Sequence, residues 1–403
     1  MIYVPIPVAM LNLGKPLPVD AWDPEGQLLL RKGQAILSEQ QRDMLNAHQA
    51  AMTETDAKAW QKSYERMIHR MLKDGADVEA IARAGMPSEI WESDYVVGSE
   101  VRGSWLDLQE VLRGILYQGE AAMCPLERLA GIEIRALELL REDPDTSLFM
   151  LFQALADSSL GYCATQALLV AVVCELTAER LGLPQATRLS LFRAALVMNV
   201  GMARLQDSLV QQSTNLNESQ KVSINEHAKR SFDILKNFGV SDEDQLDIVR
   251  WHHDLDESHG LTRNIESRRI LTLADGFVAK MAARKTRLAM SPLGAAKSLF
   301  LGAKEGSERR TSAMATAVGF FPPGTYVLLI NDEKAVAVAR GERANIPHVV
   351  SNANAGGMAL AQYRYRDTAD PHFAIRSPVN PQDIRVKVSL EKALKARAEG
   401  AAP

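Results

Sequence analysis

The chain has 403 residues, a formal net charge of −4, 46% hydrophobic and 24% charged residues. That is enough for two or three domains with ordinary cores, without the Lys/Arg excess of a nucleic-acid-binding protein. Three scattered cysteines (Cys124, Cys163 and Cys174) form no C-x-x-C pair and no disulfide framework, which fits a reducing, cytoplasmic setting. The N-terminus has no basic region, and Pro5 and Pro7 interrupt its apolar run, so it does not read as a signal peptide. The longest apolar stretch, Ala167–Cys174, is too short to span a bilayer.

In chain order, W-D-P-E-G at Trp22–Gly26 is a turn signal before a short strand, and Ser38 with Gln41 reads as a capping box opening a polar helix toward Lys73. Lys73–Ser99 is broken by Gly and Pro and reads as a linker or short helices. From Trp105 to Lys304 apolar residues recur at helical spacing, with D-P-D-T at Asp143–Thr146 ending one helix and capping the next. Gly182 with Pro184 ends a long apolar helix beginning near Leu155, whose Cys163 and Cys174 are core residues. After Ser307, F-F-P-P-G-T-Y-V-L-L-I, N-D-E-K and A-V-A-V-A-R read as a β-hairpin across a four-residue turn. H-V-V-S at His348–Ser351 and I-R-V-K-V at Ile384–Val388 add strands, and Ser389–Pro403 forms a fraying helix. The expected fold is mainly α: a small N-terminal β/α module with linker (1–104), an all-α helical domain (105–306) and a β-rich extension with a helical tail (307–403).

Four of the eight histidines fall between His227 and His259. Imidazoles clustered near carboxylates suit Mn, Fe, Zn or Ni, although a polar stretch at a helix end would look the same. The order of motifs carries more. Y-C-A-T-Q-A-L-L-V-A-V-V is followed by L-V-M-N-V-G-M at Leu196–Met202. An isolated His227 comes next, then W-H-H-D at Trp251–Asp254, L-A-D at Leu273–Asp275, and Arg284 with Arg287. Together they resemble the HD-GYP family of metal-dependent cyclic di-GMP phosphodiesterases. The resemblance covers Asp157 to Ser351, and it is degenerate. Met198, Asn199 and Met202 stand where the family has the histidine, aspartate and lysine of H-D-x-G-K. Gln166 replaces a ligand histidine, and Gly260-Leu261-Thr262 stands in place of G-Y-P.

The resemblance implies an HD-type helical domain in which a first metal would be held by positions Gln166, Met198, Asn199 and Asp275, and a second by His227, His252 and His253 with Asn199 as the bridge. Met198 is a poor ligand for Mn or Fe, and the amide of Asn199 removes a bridging charge. The expectation is one divalent metal (Mn, Fe or Zn) on three histidines, or none. Asp254 is expected to hydrogen-bond a ligand histidine or to cap a helix. Arg284 and Arg287 are expected to contact a nucleotide or to lie on a solvated helix face.

The function so implied is regulatory or cyclic-di-nucleotide-sensing in bacterial signalling, with cyclic di-GMP or a related phosphorylated ligand, protein partners, and no nucleic acid polymer. A weak one-metal phosphodiesterase and a pure interaction scaffold are the alternatives.

Overall fold

The computed structural model describes residues 3–400 apart from 24–26, 75, 83, 88–89, 91–102, 123, 158–159, 255, 257, 302–306, 385 and 387. The chain divides into two compact units, Met1–Ser99 and Glu100–Pro403.

The first unit is a four-stranded antiparallel sheet, in spatial order β1 (Tyr3–Pro5), β4 (Ala51–Thr53), β2 (Ala21–Trp22) and β3 (Leu28–Leu30). With it go helices α1 (Glu39–Ala47), α2 (Glu54–Lys73) and α3 (Val78–Ala82). Its core is built from Leu17, Val19, Ile36, Leu45 and Met52. Ser38 caps α1 by accepting from the Gln41 N–H at 3.1 Å, but Gln41 Oε1 answers Leu37 N–H rather than Ser38, so the box closes one residue early. Residues 24–26 of the expected turn, and most of the expected linker beyond α3, lie outside the described residues.

The second unit opens with helices α4 (Trp105–Gln118), α5 (Pro125–Glu142), α6 (Pro144–Leu155), α7 (Tyr162–Arg180), α8 (Gln185–Val197) and α9 (Ala203–Gln211). It continues with α10 (Glu218–Phe238), α11 (Glu243–Trp251), α12 (Ile265–Met281), α13 (Pro292–Leu301) and α14 (Glu308–Val318). Asp143 separates α5 from α6 and caps the latter, its Oδ1 accepting from the N–H groups of Asp145 and Thr146.

The long apolar helix does not begin near Leu155. α6 ends there, and α7 starts at Tyr162 because Gly161 turns the chain at φ 87°. Asp207 of α9 accepts from the Cys163 N–H at 2.6 Å, satisfying a donor at the new N-terminus. By length and composition α7 as a whole is apolar enough to cross a membrane, which the Ala167–Cys174 run alone does not suggest. Yet 94% of its apolar window is buried. It is packed by α4, α6, α8, α9, α12 and α14, so an all-round apolar surface here marks a core helix.

The β-extension is a five-stranded antiparallel sheet in the order β8 (Ala359–Asp367), β7 (His348–Ala353), β6 (Lys334–Ala339), β5 (Tyr326–Leu329), β9 (Ile375–Val379). The β5–β6 hairpin and β7 match the sequence pattern. One face packs Tyr326, Val336, Val338 and Val350 against Phe149 and helix α15 (Leu390–Gly400). The other packs Val327, Ala335, Ala337 and Val349 against Phe321. The strand expected at Ile384–Val388 is absent among its described residues; Val386 instead accepts from the Asn352 side chain at 3.1 Å.

Candidate metal centre

His227 sits on the third turn of α10, whose start is fixed by a capping box between Asn217 and Gln220. His252 and His253 follow directly on the end of α11, which Asp242 caps by accepting from Gln245 N–H. The turn Val200–Met202 lies against α10, and only glycine fits there. A Cβ on Gly201 would stand 2.8 Å from Ser231 N and 2.9 Å from His227 O. Ser231 Oγ accepts from Gly201 N–H at 3.0 Å, so the turn is stitched to α10 directly behind His227.

The nitrogens of His227, His252 and His253 all lie within 4.8 Å of one another. His227 and His252 are buried, whereas His253 reaches the surface. Their tautomers follow from their partners. His227 Nδ1 is 2.5 Å from Ile224 O and His252 Nδ1 is 2.8 Å from Val249 O. A carbonyl only accepts, so each Nδ1 carries the proton and each Nε2 presents a lone pair.

Those two Nε2 atoms face each other at 3.2 Å. Two lone pairs at that distance repel unless a cation lies between them. Burial depresses the pKa of both rings, so a proton is a poor occupant. A tetrahedral Zn²⁺ with ordinary Zn–N bonds holds its nitrogens about 3.3 Å apart. The three imidazoles therefore fit a divalent transition metal, with His227, His252 and His253 holding it. When bound it would supply a Lewis acid and an acidified water.

The other residues singled out in the sequence divide differently. Gln166, on α7, donates from Nε2 to Asp275 Oδ1 at 2.5 Å, and its Oε1 accepts from Gln206 Nε2 of α9. Asp275 is not a member of the histidine cluster. Burial raises its carboxyl to about 6, and the charge of Arg284 pulls it down. Met198 is wholly buried and Asn199 nearly so, while Met202 is partly exposed.

Two expectations are corrected. Asp254 neither touches a ligand histidine nor caps a helix. It accepts from Asp256 N–H, and its other oxygen pairs with His259 Nδ1 at 2.7 Å. Arg284 and Arg287 lie not on a helix but in a turn after α12, bonded to each other through their backbones. Arg287 Nη2 donates to Ala279 O at 2.6 Å and closes the end of α12, as a cation at a helix C-terminus should. The charges of both arginines reach the buried Tyr162, and that of Arg284 also reaches Asp275.

Sequence reasoning missed Gln206, for which no motif exists. It also missed Thr272, whose hydroxyl donates to His252 O and anchors the double histidine to α12. Thr272 lies one helical turn before Asp275, a spacing from which its inward face was readable.

The lowered histidines predict acid sensitivity in the metal-free chain. Although His253 reaches the surface, desolvation among the packed rings and the neighbouring His227 lower its pKa to about 4, against about 6.5 in an unfolded chain. Between those values the unfolded state binds more protons, so stability falls as pH drops. Asp275, raised to about 6, acts in the opposite direction between its two values, one carboxyl against three imidazoles. The thermal midpoint of metal-free protein should fall from pH 7 to pH 5, and a His253→Gln variant should fall less. An equal fall in both would remove His253 as a cause.

Helices gathered around a buried core bring three histidines together from α10 and the end of α11, in an arrangement that fits a divalent cation. Residues 150–307 match the family model described as an HD domain. Among solved structures, the chain is similar to Bd1817, a HDG"Y"P protein from Bdellovibrio bacteriovorus, at 13% identity and a TM-score of 0.42, over 78% of this chain and 98% of that one. No curated protein matches it.

Proposed function

We propose that the chain is a catalytically impaired relative of the HD-GYP phosphodiesterases that binds one divalent metal on His227, His252 and His253. In this reading it acts as a regulatory or cyclic-di-nucleotide-sensing protein in bacterial signalling, read out by a protein partner. One observation carries the reading. The three imidazoles are gathered with facing lone pairs, while Gln166, Met198 and Asn199 are buried where the resemblance puts the remaining metal ligands. Hydrolysis between two cations needs a bridging carboxylate and a second metal to take up phosphoryl charge. An amide and a thioether supply neither.

Arg284 is the residue favoured to meet a phosphate, since it is exposed and its partner in the pair is spent on a helix end.

The test is anaerobic incubation of the full chain with Mn²⁺ or Fe²⁺ and cyclic di-GMP, with products separated by chromatography. Intact substrate is expected. Linear dinucleotide or GMP would replace this reading with a one-metal phosphodiesterase, a use for which a three-histidine site with an open fourth position is chemically suited. Equilibrium dialysis of the same nucleotide then separates sensor from scaffold. Arg284→Ala is expected to weaken binding about tenfold, the size of one charge-assisted hydrogen bond. No binding at all would leave a docking module.

A further inference from the structure

Gln206, Gln166 and Asp275 come from three helices, α9, α7 and α12, and meet in one hydrogen-bonded row. The direction of that row is forced. A carboxylate only accepts, so Gln166 must turn its Nε2 toward Asp275. Its Oε1 then faces Gln206, which must answer with its own Nε2. Gln206 Oε1 is left buried and without a partner. Both amides are almost wholly buried, at 2% exposure for Gln166 and 9% for Gln206.

The consequence concerns cations. Gln166 Oε1 is spent on Gln206, and a metal approaching Asp275 Oδ1 would meet the Gln166 N–H group. Turning the Gln166 oxygen toward a cation there would break both of its hydrogen bonds at once. The row also does mechanical work that a metal would otherwise do, tying α7, α9 and α12 to one another around Asp275.

We infer that Gln206, acting through Gln166, is a positioning residue that keeps Asp275 metal-free and so limits this chain to the histidine cation alone. The inference rests on the reading above only for that histidine cation; the row itself stands without it.

The test uses the full chain, labelled with ¹⁵N in glutamine side chains, and Zn²⁺ as the probe. Zinc per chain is counted after gel filtration by mass spectrometry, and exchange of the Gln166 and Gln206 side-chain amides with solvent is followed by nuclear magnetic resonance. One zinc is expected, with both amides exchanging slowly before and after it binds. Gln206→Met keeps the volume but removes the donor. Exchange at Gln166 should then rise roughly tenfold, about the worth of one net hydrogen bond, and the zinc count should rise above one.

Two zincs per wild-type chain with displaced Gln166 and Gln206 signals would overturn the inference, as would unchanged Gln166 exchange or a zinc count still at one in the Gln206→Met protein. No zinc with both amides still protected would sink the histidine metal site while upholding the row. The two failures are therefore distinguishable.

Discussion

Replacing His252 with alanine should cost at least about a hundredfold in Zn²⁺ affinity, measured by competition with a chromophoric chelator. The removal of an outer hydrogen-bond partner alone typically costs 10–100-fold in metal sites, and His252 is itself one of the three converging rings. Metal bound only to the folded state stabilises it by about 2.7 kcal/mol at a hundred times its dissociation constant. Zinc should therefore raise the thermal midpoint of the wild-type chain and leave that of the variant nearly unmoved. His259→Ala is the control: His259 pairs with Asp254, away from the cluster, and its loss should leave affinity intact. Equal zinc affinity in wild type and His252→Ala would end the three-histidine site.

Gly201→Ala should cost about 3 kcal/mol in chemical denaturation, the upper end of overpacking costs. Two of the three atoms its Cβ would strike, Ser231 N and His227 O, belong to the backbone of α10 and cannot rotate aside. The helix must move, and His227 moves with it. Stability and zinc affinity should thus fall together. A loss below about 0.5 kcal/mol would mean that α10 yields freely and that Gly201 does not set its position.

What the sequence made readable was whatever depends on near neighbours. The cap at Asp143 and the β5–β6 hairpin are local patterns, and the structure has them where spacing places them. The gathering of His227 with His252 and His253 was legible because all three types suit one chemistry and lie close in the chain. β8 was not. Its Y-R-Y-R-D stretch is only partly buried and pairs with β7 along its length. I-R-V-K-V alternates like a strand, but no strand pairs with its described residues. Gln206 was invisible for a different reason. Its role exists only because Gln166, 40 residues before it, is held by Asp275, 109 residues beyond Gln166. No window on the sequence contains such a row.

The β-extension is tied to the helices by two arginines. Arg340 reaches Asp145 at 2.5 Å, and Arg397 reaches Asp143 at 2.8 Å across 254 residues of chain. Both bonds end on the first turn of α6. During synthesis, α6 and α7 emerge long before these partners exist, so the apolar girdle of α7 must wait while the rest is made. A fragment ending near 307, where the family match stops, would lack β5 to β9 and α15 and would leave Phe149 bare. It should aggregate where the whole chain does not. The boundary at which the family match stops and the end of the last helix packed on the β-extension are, in this protein, about ninety residues apart.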